Sequence, residues 1–250
     1  MIVVRNLSIT FNPGSEQEFK ALQNINLDIP EGQFVILLGS NGSGKSTLLN
    51  VIAGNLSPEQ GHGEILINNQ NVTQQAVYQR SPFIGRIFQQ PSDGVASDLS
   101  VLENFRLAAL RTSSKGLSVG TGKAFRAEVA SRVEVLGMGL ENRLDRSIGS
   151  FSGGQRQALS LLMATYVKPK LLLLDEPTAA LDPKSAETVF NLACTIINEQ
   201  QLTALLVTHD LRHCTRAGDR IIQLSEGKII RDEMGVSRES LSLADIQGWF

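Results

Sequence analysis

Apolar and polar positions alternate from Ile2 to Phe11, the period of a strand with one buried face. After a polar loop at residues 12–18 the alternation resumes over residues 22–29. Pro30, Glu31 and Gly32 then turn the chain into residues 34–38, five apolar side chains in a row, as a strand covered on both faces requires. A glycine-rich turn follows, and an amphipathic helix is predicted to begin near Gly44. Residues 57–77 are polar, with Gly61, Gly63, Asn68 and Asn69 as turns around a short strand at residues 64–67. Between residues 101 and 135 the period becomes helical, marked by Leu102, Phe105, Leu107, Ala108 and Leu110, then by Val129, Val133 and Leu136. A Ser/Gly-rich insert at residues 112–122 divides the two helical stretches and is expected to be a mobile loop. Beyond Ser150 the spacing predicts a helix at 154–166, a strand at 171–174, a helix at 185–200 and a strand at 203–207. Such alternation implies a mostly parallel sheet with helices packed on it. The expected fold is therefore α/β: one domain over residues 1–250, opening with an antiparallel β subdomain and carrying an inserted α-helical subdomain at about 91–150.

Composition narrows the function classes. The 250 residues are 42% hydrophobic, enough for a sizeable core, and the net charge of −2 with no basic run argues against a nucleic-acid partner. Cys194 and Cys214 form no CxxC pair and are expected to be small buried hydrophobes in a reducing compartment. No apolar run approaches the roughly 20 residues of a membrane span, and the N-terminus lacks the form of a signal peptide. The expectation is a soluble, cytoplasmic chain that meets a membrane only through another protein.

Three motifs carry the chemistry. Gly39, Ser40, Asn41, Gly42, Ser43, Gly44, Lys45 and Ser46 match GxxxxGK[ST], between a buried strand and a helix as a phosphate-binding loop requires. Its glycines let backbone N–H groups turn toward phosphates, and the helix N-terminus adds a favourable dipole. In that pattern Lys45 reaches the β- and γ-phosphates and the Ser46 hydroxyl binds Mg²⁺, with Thr47 beside it in the ATP-binding set. Four leucines at residues 171–174 then deliver Asp175 and Glu176 to the C-terminal end of a central strand, where open α/β sheets bind ligands. Asp175 is placed to hold Mg²⁺ through its water shell, and Glu176 to orient the attacking water. These two motifs define a P-loop NTPase core. The third is Phe151, Ser152, Gly153, Gly154 and Gln155, just before a helix: a hydroxyl and close-approach glycines that make a second anion site. A simple capped helix start explains Ser152 but not the Gly-Gly-Gln that follows it.

With Phe in place of the first Leu, residues 151–155 resemble the LSGGQ signature of the ATP-binding cassette family, and the resemblance covers nearly the whole chain. It implies ATP and Mg²⁺ as ligands, ATP hydrolysis as the activity, and a head-to-tail homodimer or pseudo-dimer. ATP would then lie between Lys45, Ser46 and Asp175 of one chain and Ser152, Gly153, Gly154 and Gln155 of the other. The resemblance further implies that Phe11 stacks on adenine, that Gln89 touches Mg²⁺ and the attacking water, and that Asp182 lies in a loop crossing the dimer interface. His209 would join Glu176 as a catalytic residue, on the γ-phosphate. His62 and His213 have no such context and are expected at the surface. Residues 91–105 look like the cleft with which such ATPases grip a permease helix. Stretches around Asn12, Leu159, Thr178 and Leu243 resemble an import subfamily with tryptophan- and tyrosine-uptake members. The implied partners are an integral membrane permease and a solute-binding protein, and the implied location is the cytoplasmic face of the cell membrane. A soluble cassette ATPase of the iron–sulfur assembly type is the alternative that the same motifs allow.

Overall fold

A computed structural model of the chain describes residues 1–58, 61–112 and 120–250. The loop expected at residues 112–122 lies mostly outside these described residues. The chain opens with two alternating strands, β1 (Ile2–Phe11) and β2 (Phe19–Ile29), which pair antiparallel. The continuous apolar strand β3 (Phe34–Leu38) follows, every residue of it buried, and runs through the glycine turn into helix α1 (Lys45–Ala53). β4 (Glu64–Ile67) and β5 (Gln70–Asn71) complete a four-stranded antiparallel sheet in the order β2-β1-β4-β5.

The short helix α2 (Val77–Arg80) leads to β6 (Ile84–Ile87), which the hydrophobic pattern did not reveal. Helices α3 (Val101–Ala109) and α4 (Lys123–Glu134) and two 3₁₀ turns precede α5 (Gly153–Ala164). Then come β7 (Leu171–Asp175), α6 (Pro183–Gln200), β8 (Ala204–Val207) and α7 (Leu211–Arg216). The chain closes with β9 (Arg220–Ser225), β10 (Lys228–Met234), α8 (Val236–Glu239) and α9 (Leu243–Gln247). The second sheet has six strands in the order β10-β9-β3-β8-β7-β6, parallel from β9 to β6 with β10 antiparallel at one edge.

The apolar strands are continuous because both faces of this sheet are covered, and their side chains divide by the strand period of two. Val35 and Leu37, Leu171 and Leu173, and Leu205 and Val207 join a core shared with α1 and the antiparallel sheet. Phe34, Ile36 and Leu38, Leu172 and Leu174, and Ala204 and Leu206 face the opposite way, onto α5, α6, α7 and Ile246 of α9. A third cluster joins α3, α4 and one face of α5 through Phe105, Val129, Val133, Leu159 and Met163.

Two expectations about burial change. His213 is buried rather than at the surface, because α7 folds its ring face to face against Phe190 of α6, with centroids 3.7 Å apart. Cys214 is buried as expected, its thiol pushed up to about 12 by burial, but Cys194 is only half-buried.

Candidate active site

Sheet register decides which loops meet. Val207 pairs with Leu37 on one side and Asp175 on the other, so the ends of β3, β7 and β8 lie side by side. The loop after β3 uses left-handed glycines where no side chain would fit. A Cβ on Gly39 would lie 2.4 Å from the Leu224 carbonyl oxygen, and one on Gly44 would lie 2.4 Å from that of Ala21. Gly44 thus starts α1 and turns its first N–H groups into the loop. Lys45 is buried beneath, with Nζ donating to the carbonyls of Gly39 (2.8 Å) and Ser40 (2.9 Å). Burial holds its pKa below the ordinary lysine value, opposed by the charges of Glu176 and Asp175. Ser43 Oγ is buried there with no hydrogen-bond partner.

On the next strand, Asp175 Oδ1 accepts from Ser46 Oγ at 3.3 Å. Burial pushes the Asp175 carboxyl above its usual range; Arg86, Ser46 and Lys45 counter it. Glu176 turns sharply away, at φ 47°, a left-handed conformation that costs a non-glycine residue about 1–3 kcal/mol. Its backbone N–H bonds the Val207 carbonyl at 3.0 Å, and its Oε1 lies 2.5 Å from Nε2 of His209. An open cavity is lined by Phe19, Asn41, Gly42, Ser43, Gly44, Lys45, Ser46, Thr47, Glu176 and His209. A curled loop of N–H groups, a lysine, a hydroxyl–carboxylate pair and a carboxylate–imidazole pair therefore face one space. That set can bind a polyphosphate and direct a water at it.

Other candidates lie elsewhere. Phe11 stands opposite Phe19 across the β1–β2 pair, and Phe19 is the aromatic on the cavity wall. Gln89 is exposed just beyond β6. None of Ser152, Gly153, Gly154 and Gln155 lines the cavity. Ser152 caps α5, and Gln155 answers it: Ser152 Oγ accepts from the Gln155 N–H (3.3 Å), and Gln155 Oε1 accepts from the Ser152 N–H (3.1 Å). A Cβ on Gly154 would lie 2.6 Å from Ser185 Cβ, so this glycine lets α5 pack on α6. A capped helix start in close packing thus accounts for the Gln and one Gly after Ser152, which the bare pattern left unexplained. Asp182 caps α6 by accepting from the Ser185 N–H at 3.1 Å, a bond that lowers its carboxyl pKa.

Three further residues escaped the motif reading. Phe19 begins β2 at the margin of the polar loop, outside every motif. Arg86 interrupts β6, bonds Asn50 (2.7 Å) and Asn55 (2.8 Å), and reaches within 3.9 Å of Asp175. Gln157 is buried on α5, and its Nε2 donates to the carbonyls of Phe88 (2.8 Å) and Pro177 (2.9 Å). It thereby ties the residues flanking Gln89 and Glu176 to the Ser152 helix. Its signal was a polar residue at a position where the helical period asks for an apolar one.

The model of the ABC transporter family matches residues 22–179. The tyrosine transport ATP-binding protein of Clostridioides difficile is 39% identical, covering 98% of this chain and 97% of that one. A sulfate/thiosulfate import ATP-binding protein of Pseudomonas aeruginosa is 38% identical over 91% of this chain, which spans 65% of that relative's length. The dimeric post-hydrolysis structure of the ATP-binding cassette MJ0796 with ADP and Pi gives a TM-score of 0.78 at 32% identity, covering 94% of this chain and 98% of that one.

Proposed function

The chain belongs to the ABC transporter family as an ATP-binding ATPase, and from that premise we propose that it energises import of a solute through a partner permease. The observation that carries the reading is the meeting of Lys45, the Ser46–Asp175 pair and the Glu176–His209 pair around one cavity. ATP phosphates would occupy the loop from Gly39 to Ser46, and Lys45 would leave the Gly39 and Ser40 carbonyls to reach the β- and γ-phosphates. The unpartnered Ser43 hydroxyl fits a site whose missing partner is a phosphate oxygen. The Ser46 hydroxyl and the Asp175 carboxylate, 3.3 Å apart, are hard oxygen donors of the kind Mg²⁺ prefers, and the Gln89 side chain would have to move in to join them. Held there, Mg²⁺ would supply neutralisation of the phosphate charge. Glu176 would orient a water in line with the γ-phosphorus. The water oxygen bonds to phosphorus as the bond to the β-phosphate oxygen breaks, yielding ADP and phosphate. His209 would hold the γ-phosphate as charge develops. Phe11 and Phe19, side by side at the β1–β2 end, are the aromatic candidates for the adenine.

Ser152, Gly153 and Gly154 lie outside this cavity, at a helix N-terminus suited to an anion. A second chain packed head to tail would bring them over the γ-phosphate, with Asp182 at the interface, so the functional unit is a dimer. Within the single cassette of residues 1–250, residues 91–105, at the start of the helical block at about 91–150, are the part proposed to grip the permease. Among the described residues no helix is long and apolar enough to cross a membrane. Attachment at the cytoplasmic face would therefore run through the permease, and a solute-binding protein would deliver the cargo. The relatives named for tyrosine transport and sulfate/thiosulfate import support an importer, and the first supports an amino-acid cargo.

The test is to express tagged Glu176→Gln, solubilise membranes with Mg·ATP and identify what copurifies. A polytopic membrane protein with a solute-binding protein is expected. Recovery with cytosolic partners alone would replace the importer by an assembly-type ATPase.

A further inference from the structure

His209 rides on a very short tether. On one side it follows Thr208 and Val207, the end of β8; on the other it precedes Asp210, the N-cap of α7. Thr208 closes this turn on itself, its buried Oγ1 accepting the Asp210 backbone N–H at 3.1 Å. The same oxygen lies 3.1 Å from Nδ1 of His213, in the interior. With one hydrogen and two lone pairs, the hydroxyl takes the Asp210 N–H and still pairs with Nδ1, as donor or acceptor according to the imidazole's tautomer. Nε2, on the far side of the ring, lies 3.8 Å from Asp210 Oδ2. Burial lowers the His213 pKa and favours the neutral ring. The ring cannot drift, because it is 5% exposed and stacks on Phe190 with an interplanar angle of 8°. Phe190 belongs to α6, which begins at the Asp182 cap. A leucine would fill this space without the cost of burying a polar ring. What the histidine adds is one hydrogen-bonding ring nitrogen, aimed at the residue before His209.

We propose that His213 is a positioning residue for ATP hydrolysis: by holding the Thr208 hydroxyl it fixes the turn from which His209 reaches Glu176. The inference rests on the reading of His209 given above. It needs no contact between His213 and nucleotide. A loosened turn moves His209 Nε2 away from its place 2.5 Å from Glu176 Oε1, and misplacement by about 1 Å at a reacting centre costs on the order of 10²-fold in rate.

Steady-state ATPase rates of the full chain test it, normalised to the folded fraction measured by circular dichroism. His213→Leu keeps the apolar packing and removes the hydrogen-bond partner of Thr208; it is expected to lower kcat at least about tenfold and leave KM for ATP within about twofold. His213→Asn puts an amide, able to donate or accept, where Nδ1 stands, and is expected to recover most of the loss. Thr208→Val removes this bond and also the acceptor of the Asp210 N–H, so its loss should be at least that of His213→Leu, and the double variant should be no slower than Thr208→Val alone. Wild-type kcat in His213→Leu, or equal losses in the Asn and Leu variants, would overturn the proposal. His209→Ala is the control for the premise. If it turns over normally, the reading of His209 fails; if it is inactive while His213→Leu is not, only the positioning role fails.

Discussion

Lys45 is a buried cation that bonds two carbonyls of its own loop. That arrangement keeps it satisfied without nucleotide, so its removal acts on binding more than on folding. Lys45→Ala is expected to abolish tight ATP binding while the melting temperature moves little, read by fluorescent-nucleotide titration and thermal unfolding; unchanged affinity would remove the phosphate-loop assignment. Glu176→Gln keeps the shape and loses the charge that orients water. Nucleotide affinity should persist while single-turnover hydrolysis falls about 10²–10⁴-fold. Arg80 shows the opposite balance, being structural and far from legible. It is wholly buried, and its guanidinium donates to the carbonyls of Val51, Ile52, Thr73 and Gln75. Two of these are last-turn carbonyls of α1, of which Val51 also accepts from the Gly54 N–H at 3.2 Å. Arg80→Met should therefore cost about 3 kcal/mol or more in urea unfolding, since several buried acceptors lose their donor at once. In the sequence Arg80 is one basic residue in a polar stretch, and nothing local announces the four carbonyls it serves.

At the scale of elements, legibility follows burial. β3, β7 and β8 are covered on both faces and read directly as apolar runs. β6 is hidden because Gly85 must admit the Ala164 carbonyl, 2.7 Å from where its Cβ would be, and because Arg86 turns toward Asp175. β9 is hidden by Arg220 and Gln223, buried polar residues whose partners, Asp232 and the Trp249 carbonyl, come from later in the chain. No single-segment pattern contains a partner that distant in sequence. The same holds for the Ser152 helix. Its hydroxyl suggested a cap, and the reciprocal bond from Gln155 is local to that turn, but the contact of Gly154 with Ser185 exists only once α5 and α6 are packed. Ser152→Ala should thus cost about 1 kcal/mol of stability in the isolated chain, measured by urea unfolding without nucleotide. A stability loss without ATP separates this intrachain cap from any role over a partner's phosphate.

At the scale of the whole molecule, one sheet edge gathers Lys45, Ser46, Asp175, Glu176 and His209, yet the anion-binding start of α5 stays out of their cavity. If the two halves act together, they must do so between chains, and that has a quantitative consequence. Lys45→Ala disables the cavity and leaves the α5 start intact. Gly153→Asp does the reverse: an acid in the first helical turn suits the helix dipole, and the nearest atom to its Cβ is the flexible end of Leu181 at 3.3 Å, so the fold tolerates it. The added carboxylate would repel a γ-phosphate placed over that turn. Each variant alone should be inactive. Equal mixing gives about half heterodimers, each with one of its two composite sites intact, so about a quarter of the wild-type sites return. Activity of the mixture, absent from either variant alone, would require sites shared between chains. Full activity of Gly153→Asp by itself would mean that the cavity in one chain suffices.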